Sequence, residues 1–254
     1  MLLRCNSDPQ APQVGIETDT FRKILKACLV TGFGSFDGLP WELKYDSATT
    51  SVFKSSADVL LVVDEDETTI NLSGCCSTYM VSNYQFPNKH QYRFFPTIYQ
   101  NPNGLEISKN SLIADWLFLG SKDYFYFFAG DLFIFFGKWD EIFTNDCYAL
   151  ILSDTFGLFS DTTIDHVLSK KNNNLFSPQY VGKKELFVDD SAYAFSSVNL
   201  YQELGKGAIV GALPNIFVPK LEISFADGFL NSSMGKHLLV HNFNGRSFLF
   251  DTNG

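Results

Sequence analysis

Four consecutive carboxylates, Asp64 to Glu67, form the densest cluster of groups in this chain that could do chemistry. Several carboxylate oxygens held together can bind a divalent cation. The run lacks the Asp-x-Asp-x-Asp-Gly spacing and the distal Glu of a calcium loop. It follows the apolar stretch Asp58 to Val63 (DVLLVV), so we expect a solvated hairpin tip after a buried strand. The sequence leaves open whether that tip holds an ion.

A second set of carboxylates is spaced along the most aromatic part of the chain: Asp115, Asp123, Asp131 and Asp140. Glycosidases place two carboxylates on either side of a sugar. This set therefore keeps a carbohydrate-recognising receptor-binding module or a glycosidase-like protein as an alternative. Aspartates in the turns of a β-meander explain the same spacing. Burial of Trp116 and Trp139 would exclude a sugar platform, whereas a groove shared with these aspartates would support one.

The histidines and cysteines offer weaker sites. His237 and His241 have the spacing of a zinc pair on a helix, but HLLVHNF is typical of a strand, where such positions lie about 13 Å apart. Cys147 has no base beside it in the sequence; His166 and Asp165 could approach it only through the fold. We therefore predict no catalytic, cofactor-binding or metal-binding residues, no cofactor and no enzymatic activity.

Composition excludes several classes of protein. The formal net charge of −9 argues against nucleic-acid binding, since the only basic clusters are Lys170-Lys171 and Lys183-Lys184 in turn-rich stretches. No uncharged apolar segment is long enough to span a membrane. The first residues, MLLRCNSDPQ, do not resemble a signal peptide. The odd count of 5 cysteines, with Cys75 next to Cys76, indicates free thiols rather than a disulfide framework.

The elements that would position these residues are mostly strands. A helix is expected from an N-cap at Thr18 or Asp19, with an apolar face, to a stop at Gly32 and Gly34; that face comprises Phe21, Ile24, Leu25, Cys28 and Leu29. The glycine-rich GFGSFDG (32–38) follows this helix and is interpreted as a loop, not a phosphate cradle. From Trp41 onward the pattern indicates strands, including an aromatic meander over Asp123 to Leu152.

The predicted fold is mainly β, with antiparallel sheets in a sandwich or meander and one N-terminal amphipathic helix packed on a sheet. Residues 1–16 are polar and contain prolines, which predicts a flexible N-terminal arm. Residues 17–254 are expected to form a single β-rich domain. The turn-rich stretch 153–185 is a candidate subdomain boundary.

Short motifs follow one another over most of residues 18 to 153. They read KACLVTGFG (26–34), LLVVDED (60–66), GCCSTYM (74–80), FFPTIY (94–99), KNS (109–111), DWLFLGSKDYFYFF (115–128) and AGDLFIFFG (129–137). Their order resembles a family of virion structural proteins of tailed bacteriophages. The closing FLFDTNG is similar to that family's end, although its terminal Pro-Trp-Arg is absent. Gly120-Ser121 also stands where Gly-Asp is usual.

The resemblance implies a non-enzymatic virion structural protein that acts through protein-protein assembly. It does not fix the position in the particle, so tail tip, baseplate, neck and head surface all remain open; we favour the tail or baseplate. It implies other virion proteins as partners, a homo-oligomeric state, and synthesis in the bacterial cytoplasm before incorporation into the virion. The abundance of aromatic side chains, with 26 Phe and 11 Tyr, suits such interfaces.

Overall fold

The computed structural model describes residues 1–15, 17–57, 59–75, 94–95, 105–109, 115–130, 132–138, 140–141, 147–154, 165–170, 175–176, 180–186, 195–201, 209–219, 229–232, 235–241 and 247–251.

The predicted helix is confirmed. It consists of α1 (Thr20–Lys26), which continues as a π-helical segment, Ala27–Thr31. Its apolar side chains are buried as the spacing predicts, from Phe21 to Leu29. The helix ends at Gly32, whose φ of 74° favours glycine, and a Cβ there would lie 2.1 Å from the carbonyl oxygen of Phe36. GFGSFDG is therefore the tight turn that ends the helix.

The remaining described elements are strands. They are β1 (Leu2–Cys5), β2 (Glu42–Asp46), β3 (Thr50–Lys54), β4 (Leu60–Glu65), β5 (Thr69–Cys75), β6 (Phe94–Phe95), β7 (Leu105–Ser108), β8 (Trp116–Gly120), β9 (Tyr124–Ala129), β10 (Leu132–Lys138), β11 (Asp140–Glu141), β12 (Cys147–Asp154), β13 (Asp165–Lys170), β14 (Leu175–Phe176), β15 (Tyr180–Leu186), β16 (Phe195–Tyr201), β17 (Ile209–Pro219), β18 (Phe229–Ser232), β19 (Gly235–His241) and β20 (Ser247–Asp251).

These strands form three sheets in which each described pairing is antiparallel. The N-terminal sheet has the order β2-β3-β4-β5-β6, with β7 also paired to β5. The central sheet has the order β1-β8-β9-β10-β12-β13-β14. The C-terminal sheet has the order β15-β16-β17-β20-β19-β18, with β11 also paired to β17. The mainly β fold with one N-terminal helix is therefore as predicted.

The central sheet explains why the aromatic run is almost continuous. Alternate residues of a strand point to opposite faces, and here both faces are covered. Phe125 and Phe127 of β9 belong to the core shared with the helix and the N-terminal sheet. Tyr126 lies on the other face, where its ring contacts Phe250 of the C-terminal sheet at a centroid distance of 5.4 Å. A meander buried on both faces needs apolar residues at every position, not at every second one.

The start of the chain differs from the expected flexible arm. Strand β1 pairs with β8 and extends the central sheet, with Leu3 opposite Leu119 and Cys5 opposite Leu117. Leu2, Ala11 and Val14 pack partly against the core. The polar composition conceals these few apolar residues, which are enough to place the segment on the sheet.

The passage from the central to the C-terminal sheet falls inside the predicted boundary stretch 153–185. Strand β14 ends at Phe176 in one sheet, and β15 begins at Tyr180 in the other. No helix among the described residues is long and apolar enough to cross a membrane.

Candidate functional site

The densest group of charged side chains in the described residues surrounds Glu65, at the last position of β4. Its side chain is 0% exposed. The position follows from strand alternation, because Leu61 and Val63 of the same strand face the core and Glu65 is the next residue on that face. The prediction that Asp64 to Glu67 form a solvated tip is therefore wrong for Glu65. The buried strand runs through two of the four acidic residues before it turns.

Glu65 caps the helix from a distant part of the chain. Its Oε1 accepts a hydrogen bond from the backbone N–H of Phe21 at 3.3 Å, and its Oε2 accepts one from Arg22 N–H at 3.0 Å. The first N–H groups of a helix have no intrahelical partner and carry a partial positive charge. The Glu65 carboxylate therefore provides an acceptor for these N–H groups and a negative charge beside their partial positive charge.

The N-cap predicted from the sequence is correct in position but not in its hydrogen bonding. Asp19 is the N-cap residue, with a φ of 73°, and its side chain makes no capping hydrogen bond. It pairs instead with Lys23 at 2.9 Å, and this hydrogen bond raises the pKa of Lys23. The backbone of Asp19 is left-handed, and its side chain is directed to Lys23. The helix is therefore capped by Glu65 instead.

Two buried cations share the Glu65 carboxylate. Lys109 Nζ lies 3.0 Å from Glu65 Oε1 and donates a hydrogen bond to the carbonyl oxygen of Glu17 at 2.7 Å. Arg22 Nε lies 3.7 Å from Glu65 Oε2. The side chains of both cations are 4% exposed. We call Arg22, Glu65 and Lys109 the buried ionic cluster.

The guanidinium of Arg22 connects this cluster to the turn between β2 and β3. Nη1 donates to the carbonyl oxygen of Ser47 at 2.9 Å and to Ser51 Oγ at 3.2 Å, and Nη2 donates to the carbonyl oxygen of Ala48. Arg22 Nε is buried without a hydrogen bond. Asp46 lies at the solvent side of this contact. Partial burial raises the pKa of Asp46, but hydrogen bonds from Lys26 and Ser51 outweigh it, so the pKa is lowered overall.

The contacts of this arrangement hold separate parts of the fold together. The Glu65 carboxylate is contacted by two cationic side chains and accepts hydrogen bonds from two backbone N–H groups, which are charge-assisted contacts. It joins the helix, β4 and the segment after β7, which are distant in sequence. The buried ionic cluster therefore positions the helix on the N-terminal sheet.

The rest of the acidic run does lie at a hairpin tip. Asp66 and Glu67 are exposed between β4 and β5. Asp66 accepts hydrogen bonds from the backbone N–H groups of Thr68 and Thr69, both at 2.7 Å, and these bonds lower the pKa of Asp66 to about 2. Among the described residues, no group of three or more histidine, cysteine or acidic side chains is placed to hold a metal ion.

The spaced aspartates do not form one site where the structure describes them. Asp115 precedes β8 and Asp123 follows it, so the strand separates them by about 15 Å or more. Asp115 accepts a hydrogen bond from Asn6 Nδ2, and Asp123 accepts from Ser56 Oγ and Lys122 Nζ. Burial raises the pKa of Asp123, but these two hydrogen bonds dominate and lower it. Asp140 lies in β11, and Asp131 lies outside the described residues.

The exposure of the tryptophans tests whether they could form an aromatic platform for a sugar. Trp116 is 2% exposed and stacks on Phe127 at a centroid distance of 6.2 Å. Its indole Nε1–H donates to the carbonyl oxygen of Pro12 at 3.0 Å. Trp116 is thus part of the core and offers no platform for a sugar. Trp139 lies outside the described residues.

The histidine and cysteine candidates are placed apart by strand register. His237 and His241 lie on β19, as the strand interpretation predicts, and pair with Asp251 and Ser247. Cys147 pairs with Lys170 at one end of the β12–β13 ladder. His166 and Asp165 pair with residues 151 and 152, about 13 Å or more along the same ladder. The ladder therefore does not bring Cys147 and His166 together.

The thiols that can be described agree with the cysteine prediction. Cys5 and Cys28 are free. Burial raises the pKa of the Cys28 thiol, so it is protonated and packs as an apolar side chain.

One feature of the sequence does point to the buried ionic cluster. Extending the alternation of β4 by one step places Glu65 inward, between the outward Asp64 and Asp66. Lys109 and Arg22 carry no such signal, because their approach depends on how β7 and the helix pack.

Neither a protein-family model nor a curated protein matches this chain. The likeness to the virion family therefore rests on the motifs alone.

Proposed function

We propose that this chain is a non-enzymatic structural protein of a tailed-bacteriophage virion, placed in the tail or baseplate and acting through protein-protein assembly. The carrying observation is that two motifs of the resemblance meet in one buried contact, at the start of the helix whose end is a third motif. LLVVDED supplies Glu65 and KNS supplies Lys109, which lie 3.0 Å apart. KACLVTGFG forms the last part of the helix that Glu65 caps at its start. Motifs that specify how a helix is held on a sheet are expected in a family that shares an architecture.

A second motif residue supports the same interpretation. In AGDLFIFFG, Gly137 has a φ of 132°, and a Cβ there would lie 2.4 Å from the carbonyl oxygen of Asp123. Only glycine fits this close approach of two backbones. These motif residues therefore determine the fold.

The test is whether the chain is a component of particles. Gradient-purified virions of the phage that encodes it are analysed by mass spectrometry and labelled with a gold-conjugated antibody against the purified protein. We expect the chain to sediment with intact particles in a fixed ratio to the major virion proteins, with gold on the tail or baseplate. Particles without the chain, with the protein left free in the lysate, would contradict the proposal.

A glycan array with the same purified protein tests the carbohydrate alternative. We expect no specific sugar binding. Tight binding of one glycan class, by a protein absent from particles, would favour the alternative instead.

A further inference from the structure

The segment that precedes the helix, residues 1–15, is less buried than strand β8, with which its strand β1 pairs. None of residues 1–15 is buried, whereas β8, the strand that pairs with β1, contains the buried Trp116, Phe118 and Leu119. The side-chain hydrogen bonds of the segment are largely exposed, such as Asn6 to Asp115 and Arg4 to the carbonyl oxygen of Asp37. Removing β1 would therefore expose little of the segment's own surface but would uncover a strongly apolar strand.

The turn that follows β1 is strained. Among the described residues, only three non-glycine positions have a positive φ, and two of them lie between β1 and the helix: Gln10 at 63° and Asp19 at 73°. A left-handed conformation disfavours residues that carry a Cβ. Such strain persists only where the surrounding structure imposes it. We call Asn6 to Gln10 the hinge, since it contains the strained residue nearest to β1.

From these observations we propose that β1 exchanges between two copies of this chain, with β1 of each copy pairing with β8 of the other. An opened β8 is an apolar strand with unpaired backbone groups, which strongly favours a new partner strand. The same segment of a second copy fits it with the same contacts, so the closed monomer and the exchanged dimer differ mainly at the hinge. Strained short hinges favour such exchange. The exchange does not depend on the virion role.

The hinge residue provides a matched pair of variants. Gln10→Gly removes the cost of a positive φ, and Gln10→Pro forbids it, because proline fixes φ near −65°. We expect Q10P to raise the ratio of dimer to monomer at least about fivefold over the natural chain, and Q10G to lower it by a similar factor. The measurement is size-exclusion chromatography with light scattering over a range of protein concentrations.

A cysteine pair identifies the exchanged strand itself. The register places Cys5 opposite Leu117. Because the backbone N–H of Asn6 donates to the carbonyl oxygen of Trp116, Cys5 and Leu117 form the adjacent non-hydrogen-bonded pair, where side chains are closest. In Leu117→Cys, oxidation should join Cys5 of one copy to position 117 of the other. A covalent dimer on a non-reducing gel that is absent from the C5S/L117C control supports the exchange. A disulfide formed only within monomers, with Q10P also folded and monomeric at every concentration, overturns it.

If Q10P fails to fold, the L117C experiment at increasing concentration decides the question alone, with intramolecular bridging as the contrary result. This readout is independent of particle composition. A negative result here therefore leaves the proposed virion function to its own test.

Discussion

The two faces of the central sheet accommodate polar groups in different ways. On the face toward the helix, the described core rings carry no hydroxyl groups, and the buried charged groups of that side are gathered in the buried ionic cluster around Glu65. Neutral indole N–H groups, such as that of Trp116, also make hydrogen bonds there. On the face toward the C-terminal sheet, neutral hydroxyl groups make hydrogen bonds to residues of β17. Tyr126 donates to the carbonyl oxygen of Pro214 at 2.6 Å, and the Tyr124 hydroxyl accepts from Asn215 Nδ2 at 2.7 Å.

This difference predicts which substitutions would destabilise each of the two faces. Removing one partner from a buried ionic group leaves an uncompensated charge, which costs far more than losing a neutral hydrogen bond. The helix side should therefore be sensitive to single polar substitutions, whereas the C-terminal side should tolerate them and depend mainly on packing.

The largest expected effect is that of Glu65→Gln. It leaves Lys109 and Arg22 buried without their shared carboxylate, and we expect a loss of about 3–5 kcal/mol in the free energy of unfolding. Urea denaturation followed by circular dichroism measures it. Glu67→Gln, two residues away and exposed, is the matched control and should change stability by no more than about 0.5 kcal/mol. Equal effects of the two substitutions would mean that Glu65 is not part of a buried cluster.

An intermediate effect is expected on the opposite face. Tyr126→Phe removes the hydroxyl group that satisfies Pro214 while preserving the ring, so we expect a loss of about 1–3 kcal/mol. The same denaturation experiment measures it, and the unchanged slope with urea would confirm that the fold is preserved. A cost as large as that of E65Q would remove the distinction between the two faces.

The smallest effect concerns pH at the hairpin tip. The folded pKa of Asp66 is lowered to about 2 by backbone hydrogen bonds, below its ordinary value of about 3.9. Its contribution to stability is therefore complete above about pH 4 and is lost as the pH falls toward 2. Asp66→Asn should flatten the pH dependence of the thermal midpoint in this window only. An identical acid profile in the variant would show that the Asp66 carboxylate does not stabilise the turn.

The fold class was accessible from the sequence because hydrophobic periodicity reflects burial directly. The helix could be placed by its apolar spacing and by Gly32, and the meander by its aromatic residues and the turn at Gly130. Gly137 suggests a second break but lies inside β10. The hydrogen-bonding of the helix start was not accessible, since Asp19 has the right residue type but the wrong backbone conformation for capping. N-cap preferences describe hydrogen bonds between a side chain and its own neighbouring backbone. Here the acceptor for the first N–H groups is Glu65, from the distant strand β4.

The buried ionic cluster was only partly accessible from the sequence, for a related reason. Charged runs usually lie in solvent, and only strand alternation distinguishes Glu65 from its neighbours. The position of β1 was concealed in the same way, because Leu2, Ala11 and Val14 are scattered among polar residues and prolines. Both features depend on contacts between segments far apart in the chain, which no local pattern records.

The remote capping by Glu65 has a consequence for the order of folding. The helix is short, and helices of this length are marginal on their own in water. The carboxylate that satisfies two of its first N–H groups comes from a residue 43 and 44 positions later in the chain. The helix should therefore become stable only when β4 is in place, so that a nascent chain emerging from the ribosome keeps this segment unstructured until the hairpin after it has been synthesised. In native-state hydrogen exchange, the amides of the helix and of β4 should open together as one cooperative unit.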